Sequence, residues 1–229
     1  MSKIFITISV FLVQINSIMS QEIIIKILSE KTNTKLGSEF NFITNDDINA
    51  FYSSSTIENN RFRTAIYKSK YIDGDWQAGK YFNIDAFHNV GNISCDSTRC
   101  YFSACDSLNK CKIFYYNIND KNVYFDLGEL INLPNSSNTQ PHITTHKNQK
   151  ALYFVSNRPG GKGGLDIWVS VMGRKGNFGS PLNLGVNINT FADDVTPYYN
   201  KWTEELYFST NKDKKVFNVY KSFGKINKW

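Results

Sequence analysis

The sequence has no run of five or more basic residues, no Cys-x-x-Cys pair, and no Gly-Lys step followed by Ser or Thr. It also has no apolar stretch of membrane-spanning length. Each absence removes a class of function. The 26 Lys and Arg give a formal charge of +6 but are scattered over 229 residues, so they read as solvated strand ends and turns rather than a nucleic-acid patch. A zinc knuckle needs Cys-x-x-Cys. A P-loop needs a hydroxyl residue after its Lys and a helix behind it. A membrane span needs about 20 apolar residues. What is abundant is aromatic: 13 Tyr and 17 Phe within a 15% aromatic fraction. Such residues favour strands over helices. With 41% hydrophobic residues the chain can bury a core, which argues against global disorder.

The first twenty residues stand apart. Lys3 is a short positive start, Ile4 to Val13 is an apolar run broken by Thr7 and Ser9, and small residues follow at Ser17 and Ser20. This pattern is that of a cleaved secretory signal over residues 1–20. No Cys lies near residue 20, so a lipid anchor is not indicated. Residues 21–48 form an N-terminal segment that contains the β-branched run Glu22-Ile23-Ile24-Ile25-Lys26-Ile27-Leu28.

From residue 49 to 229 one unit recurs four times. Phe51-Tyr52-Ser53-Ser54, Tyr101-Phe102-Ser103-Ala104, Tyr153-Phe154-Val155-Ser156 and Tyr207-Phe208-Ser209-Thr210 are versions of one strand, spaced by 50, 52 and 54 residues. A second strand follows each: Ile66-Tyr67-Lys68-Ser69, Ile113-Phe114-Tyr115-Tyr116, Ile167-Trp168-Val169-Ser170 and Val219-Tyr220-Lys221-Ser222. An aromatic after a polar turn comes next, at Trp76, Phe125, Phe178 and Trp229. In the later copies Asn92–Cys95, Pro141–Thr144 and Thr196–Tyr199 read as a preceding strand. Four short antiparallel strands repeated at about 50 residues predict an all-β protein, a β-propeller of about four blades. By count the last blade is expected to be incomplete, because its fourth strand would begin at Trp229. Residues 22–28 are expected to pair as that outer strand and close the ring; an open, solenoid-like fragment is the other reading.

The segment Tyr153-Phe154-Val155-Ser156-Asn157-Arg158-Pro159-Gly160-Gly161-Lys162-Gly163-Gly164-Leu165-Asp166-Ile167-Trp168 resembles the WD40-like PD40 repeat, related to the TolB propeller. Its continuation through Phe178, Pro181, Asn183-Leu184-Gly185, Ile188-Asn189-Thr190, Asp194, Thr196-Pro197 and Leu206–Ser209 resembles it too. The match is specific over residues 140–211 and looser over 50–139, where the Arg-Pro-Gly-Gly loop is missing. The resemblance is to the Bacteroidota envelope type, often found beside an OmpA-like domain. It implies a periplasmic, outer-membrane-associated or secreted scaffold whose partners are envelope proteins or cell-wall glycan.

The glycine-rich loop carries the sharpest chemical question. Lys162 is followed by Gly163 and then by a strand, against a phosphate cradle. Asp166 comes one residue late for a single β-roll calcium motif. A hairpin loop is the expected role, with Gly160, Gly161, Gly163 and Gly164 supplying positive φ and Asn157 and Asp166 bonding loop amides. Arg158 is expected over an aromatic ring or against an acid. Cys95, Cys100, Cys105 and Cys111 fall in one window. Cys100 and Cys105 lie an odd number apart on one strand and face oppositely, so pairs 95–100 and 105–111 stapling two hairpins are favoured in an exported protein; free thiols and a metal site stay open. His88, His142 and His146 lack a helix-type metal pairing, and Asp193-Asp194 point apart on a strand. No cofactor, metal or catalytic residue is expected. The functional reading is a non-catalytic interaction scaffold, with a cell-surface glycoside hydrolase on a propeller as the alternative.

Overall fold

The computed structural model describes residues 28–33, 38–44, 48–58, 61–82, 84, 87, 89–213, 216–226 and 228–229. The expected signal and most of the 22–28 run lie outside them, as does His88.

The described chain is all strand and turn. The first sheet holds β1 (Ser38–Thr44), β2 (Asn49–Glu58), β3 (Arg61–Ile72), β4 (Asp75–Trp76) and β5 (Lys80–Phe82). The second holds β6 (Asn89–Cys95), β7 (Arg99–Cys105), β8 (Cys111–Asn117) and β9 (Asp120–Asp126). The third holds β10 (Asn138–His146), β11 (Gln149–Ser156), β12 (Asp166–Val171) and β13 (Leu182–Asn183). The fourth holds β14 (Asp194–Asn200), β15 (Glu205–Thr210) and β16 (Asn218–Phe223). Within each sheet the strands follow chain order and pair antiparallel, with β5 joining β3 directly. The molecule is therefore a four-bladed β-propeller whose fourth blade shows three strands among the described residues.

The paired aromatics of the repeat explain the stacking. Neighbouring residues of a strand point to opposite faces. Tyr101 enters the cluster with Leu152, Phe154 and Trp168 of the third blade, while Phe102 enters the cluster with Phe51 and Ile66 of the first. Tyr153 faces Leu206 and Phe208 of the fourth blade, while Phe154 faces the second. Three cores thus lie between successive blades. Phe102 and Phe154 are wholly buried, and each such ring contributes about 1.5–3 kcal/mol. The later landmark aromatics complete two of these cores: Phe178 lies edge-on to Tyr101 and Trp229 edge-on to Tyr153. In the second copy Phe125 instead stacks outside on Tyr115 at 5.0 Å, and Tyr124 takes the inward place against Phe102 and Phe87.

Candidate functional site

The innermost strands β1, β6, β10 and β14 share a feature absent from the sequence reading. Each is broken by a β-bulge against its neighbour, and at each bulge a non-glycine residue has positive φ: Asn41 (55°), Asn92 (50°), Gln140 (51°) and Thr196 (54°). A bulge bends its strand and re-aims one side chain. The bulges also join blades. Asn92 N–H donates to Ser53 Oγ at 3.0 Å, Ile143 N–H to Ser94 Oγ at 3.1 Å, and Thr196 N–H to Gln140 Oε1 at 2.6 Å. Thr196, β-branched and left-handed, is further held by its hydroxyl on Ser209 Oγ at 2.8 Å.

The described inner strands carry two carboxylates, and both are engaged. Glu39 is buried and accepts from the Ser54 hydroxyl. Asp194 is wholly buried; its Oδ2 accepts from the Thr190 amide at 2.5 Å and hydroxyl at 3.0 Å, while its Oδ1 has no hydrogen-bond partner among the described residues. Asp193 points the other way and accepts from Leu165 N–H at 2.9 Å. His142 is buried, its Nε2 3.2 Å from Tyr199 O; burial lowers its pKa to about 4, so it is neutral and donates to that carbonyl. His146 bonds Tyr153 Oη at 3.0 Å, and burial lowers its pKa as well.

The glycine loop is a junction of three blades. Asp166 accepts from the amides of Lys162 (2.5 Å) and Gly163 (3.0 Å) and from Asn183 Nδ2 (2.8 Å). Asn157 does not bond this loop; its Oδ1 accepts from Ser137 N–H at 2.7 Å, tying the loop to β10. The glycines act mainly through space rather than φ. Within the loop Gly160 alone has positive φ (90°), whereas a Cβ on Gly161 would lie 2.7 Å from Asp166 Oδ2, and one on Gly164 would run into Asp193 Oδ1. A Cβ on Gly163 would lie inside the Ala192 carbonyl oxygen's contact radius, because the Thr190–Asp193 turn passes directly against the loop. Pro159 is exposed at the turn beside Gly160.

Arg158 finds aromatics and no acid. It is buried, its guanidinium 4.8 Å from the Phe154 ring and 5.4 Å from the Trp168 ring. It donates to Ser156 Oγ, Leu130 O, Ile131 O and Asn138 Oδ1, so it fastens the last loop of the second blade to the third. Burial lowers its pKa to about 10.

Asn132 and Asn189 form a second repeated device. Asn132 accepts from Ile113 N–H and donates to Ile113 O, both at 2.8 Å, and to Asp126 Oδ1 at 2.7 Å. Asn189 does the same to Ile167, at 2.8 and 2.9 Å, and to Asn183 Oδ1 at 2.9 Å. Each side chain stands in for a strand on the outer edge. The signal was readable as Leu127-Gly128-x-x-Ile131-Asn132 against Leu184-Gly185-x-x-Ile188-Asn189.

The cysteines form two bonds, Cys95–Cys100 and Cys105–Cys111, each between directly opposed residues of neighbouring strands in the second blade. Among the described residues no group of three or more His, Cys, Asp or Glu could hold a metal ion, and no helix is long and apolar enough to cross a membrane.

An open cleft of about 360 Å³ lies between the second and third blades. Arg99 stacks over Tyr115 at 4.5 Å and donates to Gly176 O at 3.2 Å. Asp126, Glu129, Leu130, Asn177 and Phe178 complete the lining. Burial pushes the Asp126 carboxyl up, but hydrogen bonds from Asn132, Gly128 N–H and Lys112 outweigh it and hold it below the usual range. The cleft presents an aromatic face, a cation and anions, a set suited to binding a polar surface. It has no nucleophile paired with a base.

These features define a β-propeller knitted by side-chain clamps between blades. Solved structures agree on the fold. TolB from Acinetobacter baumannii superposes with a TM-score of 0.52 at 15% identity, over 82% of this chain and 41% of that one. An endo-arabinase from Bacteroides thetaiotaomicron gives 0.56 at 12% identity, over 82% and 75%. A thermostable family-43 glycoside hydrolase gives 0.51 at 14% identity, over 86% and 74%. The chain thus spans less than half of that TolB and about three quarters of the two hydrolases. No family model matches the sequence, and no curated protein matches it. The PD40 resemblance therefore rests on the residues quoted above, and the likeness to TolB and to arabinan-type hydrolases is one of fold.

Proposed function

We propose that this chain is a non-catalytic, exported propeller that serves as an interaction scaffold in the bacterial cell envelope, for protein or cell-wall glycan. One observation carries the reading. A hydrolase needs a carboxyl pair free at the reacting centre, one of them with a raised pKa. Here the inner-strand carboxylates, Glu39 and Asp194, are buried and hold structural hydrogen bonds. Two disulfides support export, because such bonds persist in oxidising compartments. The Arg99–Tyr115 cleft is the favoured contact surface.

The hydrolase alternative has its own support, the endo-arabinase likeness at a TM-score of 0.56. One experiment separates the two. The mature chain is incubated with arabinan and arabino-oligosaccharides, and both reducing-end release and retention on the immobilised polymer are measured, alongside envelope extracts. The scaffold reading expects no turnover, and retention of a partner that weakens in Arg99→Ala and Glu129→Ala. Steady turnover that disappears in Asp193→Asn or Glu129→Gln would overturn it.

A further inference from the structure

Tyr101 carries a hydroxyl that the fold leaves unmet beside the cleft of the second and third blades. Tyr101 and Tyr153 hold one place in successive blades, because Ser94 opposes Tyr101 as His142 opposes Tyr153. The Tyr153 hydroxyl bonds His146, four residues past His142. Four residues past Ser94 stands Thr98, which bonds Asp96 and Lys150 instead. Tyr101 is wholly buried, and its oxygen has no hydrogen-bond partner among the described residues. Burial and the nearby Asp96 carboxylate push its pKa up to about 12 against the pull of Arg99, so it stays a neutral O–H. Arg99 and Tyr115 act on this hydroxyl and also line the cleft, and Phe178, edge-on to the Tyr101 ring, lines it too. The groups free in the cleft form a balanced set. Arg99 lies over the Tyr115 ring and donates to Gly176 O, which leaves the rest of its planar fork for a ligand. Asp126 is already held by Asn132, Gly128 N–H and Lys112. Glu129 is exposed and has no partner among the described residues. One free cation is thus matched by one free anion.

We infer that this cleft binds a neutral sugar unit of a glycan, with Arg99 and the Tyr101 hydroxyl donating to its oxygens and Glu129 accepting from its hydroxyls. The scaffold reading is the premise here, and glycan rather than protein is the partner met at this cleft. Size favours it: about 360 Å³ falls within the roughly 300–1,000 Å³ of sites that enclose small ligands, whereas a protein partner covers about 800 Å² of surface. Charge favours it too. A carboxylate drawn to Arg99 would meet Glu129, and an ammonium drawn to Glu129 would meet Arg99, but a hydroxyl donates and accepts without charge. A peptide finds no free strand edge at Tyr115, because that residue is already paired with Phe125. Leu130 and Phe178 supply apolar surface for the ring carbons. The site draws on β7, β8, β9 and the turns after β9 and β12, and on none of the inner strands, so it stands apart from the ring's axis. The hydroxyl is reached when Arg99, held by a single hydrogen bond to Gly176 O, turns toward the sugar.

The test is calorimetric titration of the mature chain with oligosaccharides of equal length: chitotetraose, which is neutral, its fully deacetylated tetramer, which is cationic, and tetragalacturonate, which is anionic. The expected result is saturable binding of chitotetraose, and binding weaker by about tenfold or more for each charged tetramer. Tyr101→Phe should lower the affinity for chitotetraose by about tenfold, the share of one hydrogen bond. Its Tm should equal or exceed the parent's, because the change removes an unpaired buried hydroxyl. Glu129→Ala, on an exposed residue, should weaken binding with the fold intact. A Tyr101→Phe chain that loses Tm and keeps its affinity would overturn the inference, since the hydroxyl would then serve the fold alone. So would equal binding of a charged tetramer. Capture of an envelope protein through Arg99, with no binding of chitotetraose, would overturn the glycan assignment and leave the scaffold reading standing. Shortening of the tetramer during titration would overturn the scaffold reading and leave the sugar site standing.

Discussion

Replacing Arg158 by Met should lower the stability of the whole propeller by about 1–3 kcal/mol. The magnitude follows from opposing terms. Met keeps the hydrophobic length of the side chain over Phe154 and Trp168 but takes the donor from buried Ile131 O and from half-buried Leu130 O, while Asn138 Oδ1 keeps the Ser156 hydroxyl. Each unpaired buried acceptor costs about 1–3 kcal/mol, and the half-buried one less. Against this, the parent holds a charge that burial disfavours, with the guanidinium pKa lowered from 12.5 to about 10. Partial solvent contact screens that penalty, so removing the charge recovers only about 1 kcal/mol. The acceptors outweigh the charge. In a chain of this size the difference lowers Tm by roughly 2–12 °C. Urea and thermal unfolding followed by near-ultraviolet circular dichroism would measure it. Arg158→Lys should fall between the two, because a lysine keeps the charge but cannot reach three acceptors with a planar fork. A Met variant as stable as the parent would refute the reasoning, and would mean that the second and third blades are held by their apolar core alone.

The remaining expectations are these. His142 has a folded pKa of about 4 against 6.5 unfolded, so the unfolded state binds more protons between those values and stability must fall as pH drops from 6.5 to 4. Urea midpoints at pH 7.5, 5.5 and 4.5 should show this, with a flatter slope in His142→Gln; an equal slope would assign the effect elsewhere. Each disulfide closes a short loop and contributes about 2 kcal/mol on the chain-entropy account, so Cys95→Ser/Cys100→Ser and Cys105→Ser/Cys111→Ser should each lower the urea midpoint by a similar amount and the combination by their sum. Gly163→Ala places a methyl against the Ala192 carbonyl and should cost about 1–3 kcal/mol, far more than Gly179→Ala, where the nearest atom, Val171 O, lies an ordinary 3.6 Å from a Cβ.

The sequence carried the repeat because tertiary need writes itself onto it. A blade buries both faces, so the Tyr-Phe pair must recur wherever a central strand lies between two neighbours, as Tyr101-Phe102 and Tyr153-Phe154 do. β1 escaped because its bulge places Asn41 and Phe42 opposite one position of β2, which destroys the two-residue alternation by which strands are recognised. The glycine loop was legible as a turn, but the reason for its glycines was not. Positive φ is a local property, whereas the close approach of Thr190–Asp193 is made by residues nearly thirty positions away. Arg158 likewise meets the carbonyls of Leu130 and Ile131, a contact that no local pattern announces.

The asparagine clamps turn that lesson into a discriminating experiment. Asn132→Ala and Asn189→Ala should cost nearly the same, about 1–3 kcal/mol, because each leaves the buried N–H of an isoleucine unpaired, while its C=O keeps the amide of Leu127 or Leu184 at 3.3 Å. The aspartate substitutions should differ. Either aspartate can still accept from the isoleucine amide. Asn132→Asp, however, faces the Asp126 carboxylate that Asn132 now bonds at 2.7 Å, whereas Asn189→Asp faces the neutral Asn183. Asp126 is held ionised by Gly128 N–H and Lys112, so two negative charges would be in direct contact in the second blade, whereas in the third Asn183 stands between the new charge and Asp166. At pH 7 the blade-two variant should be the less stable by on the order of 1 kcal/mol, and the gap should close below about pH 4 as the carboxylates protonate. A gap that does not depend on pH would mean that shape rather than charge distinguishes the clamps, and that their equivalence across the repeat is only a likeness of position.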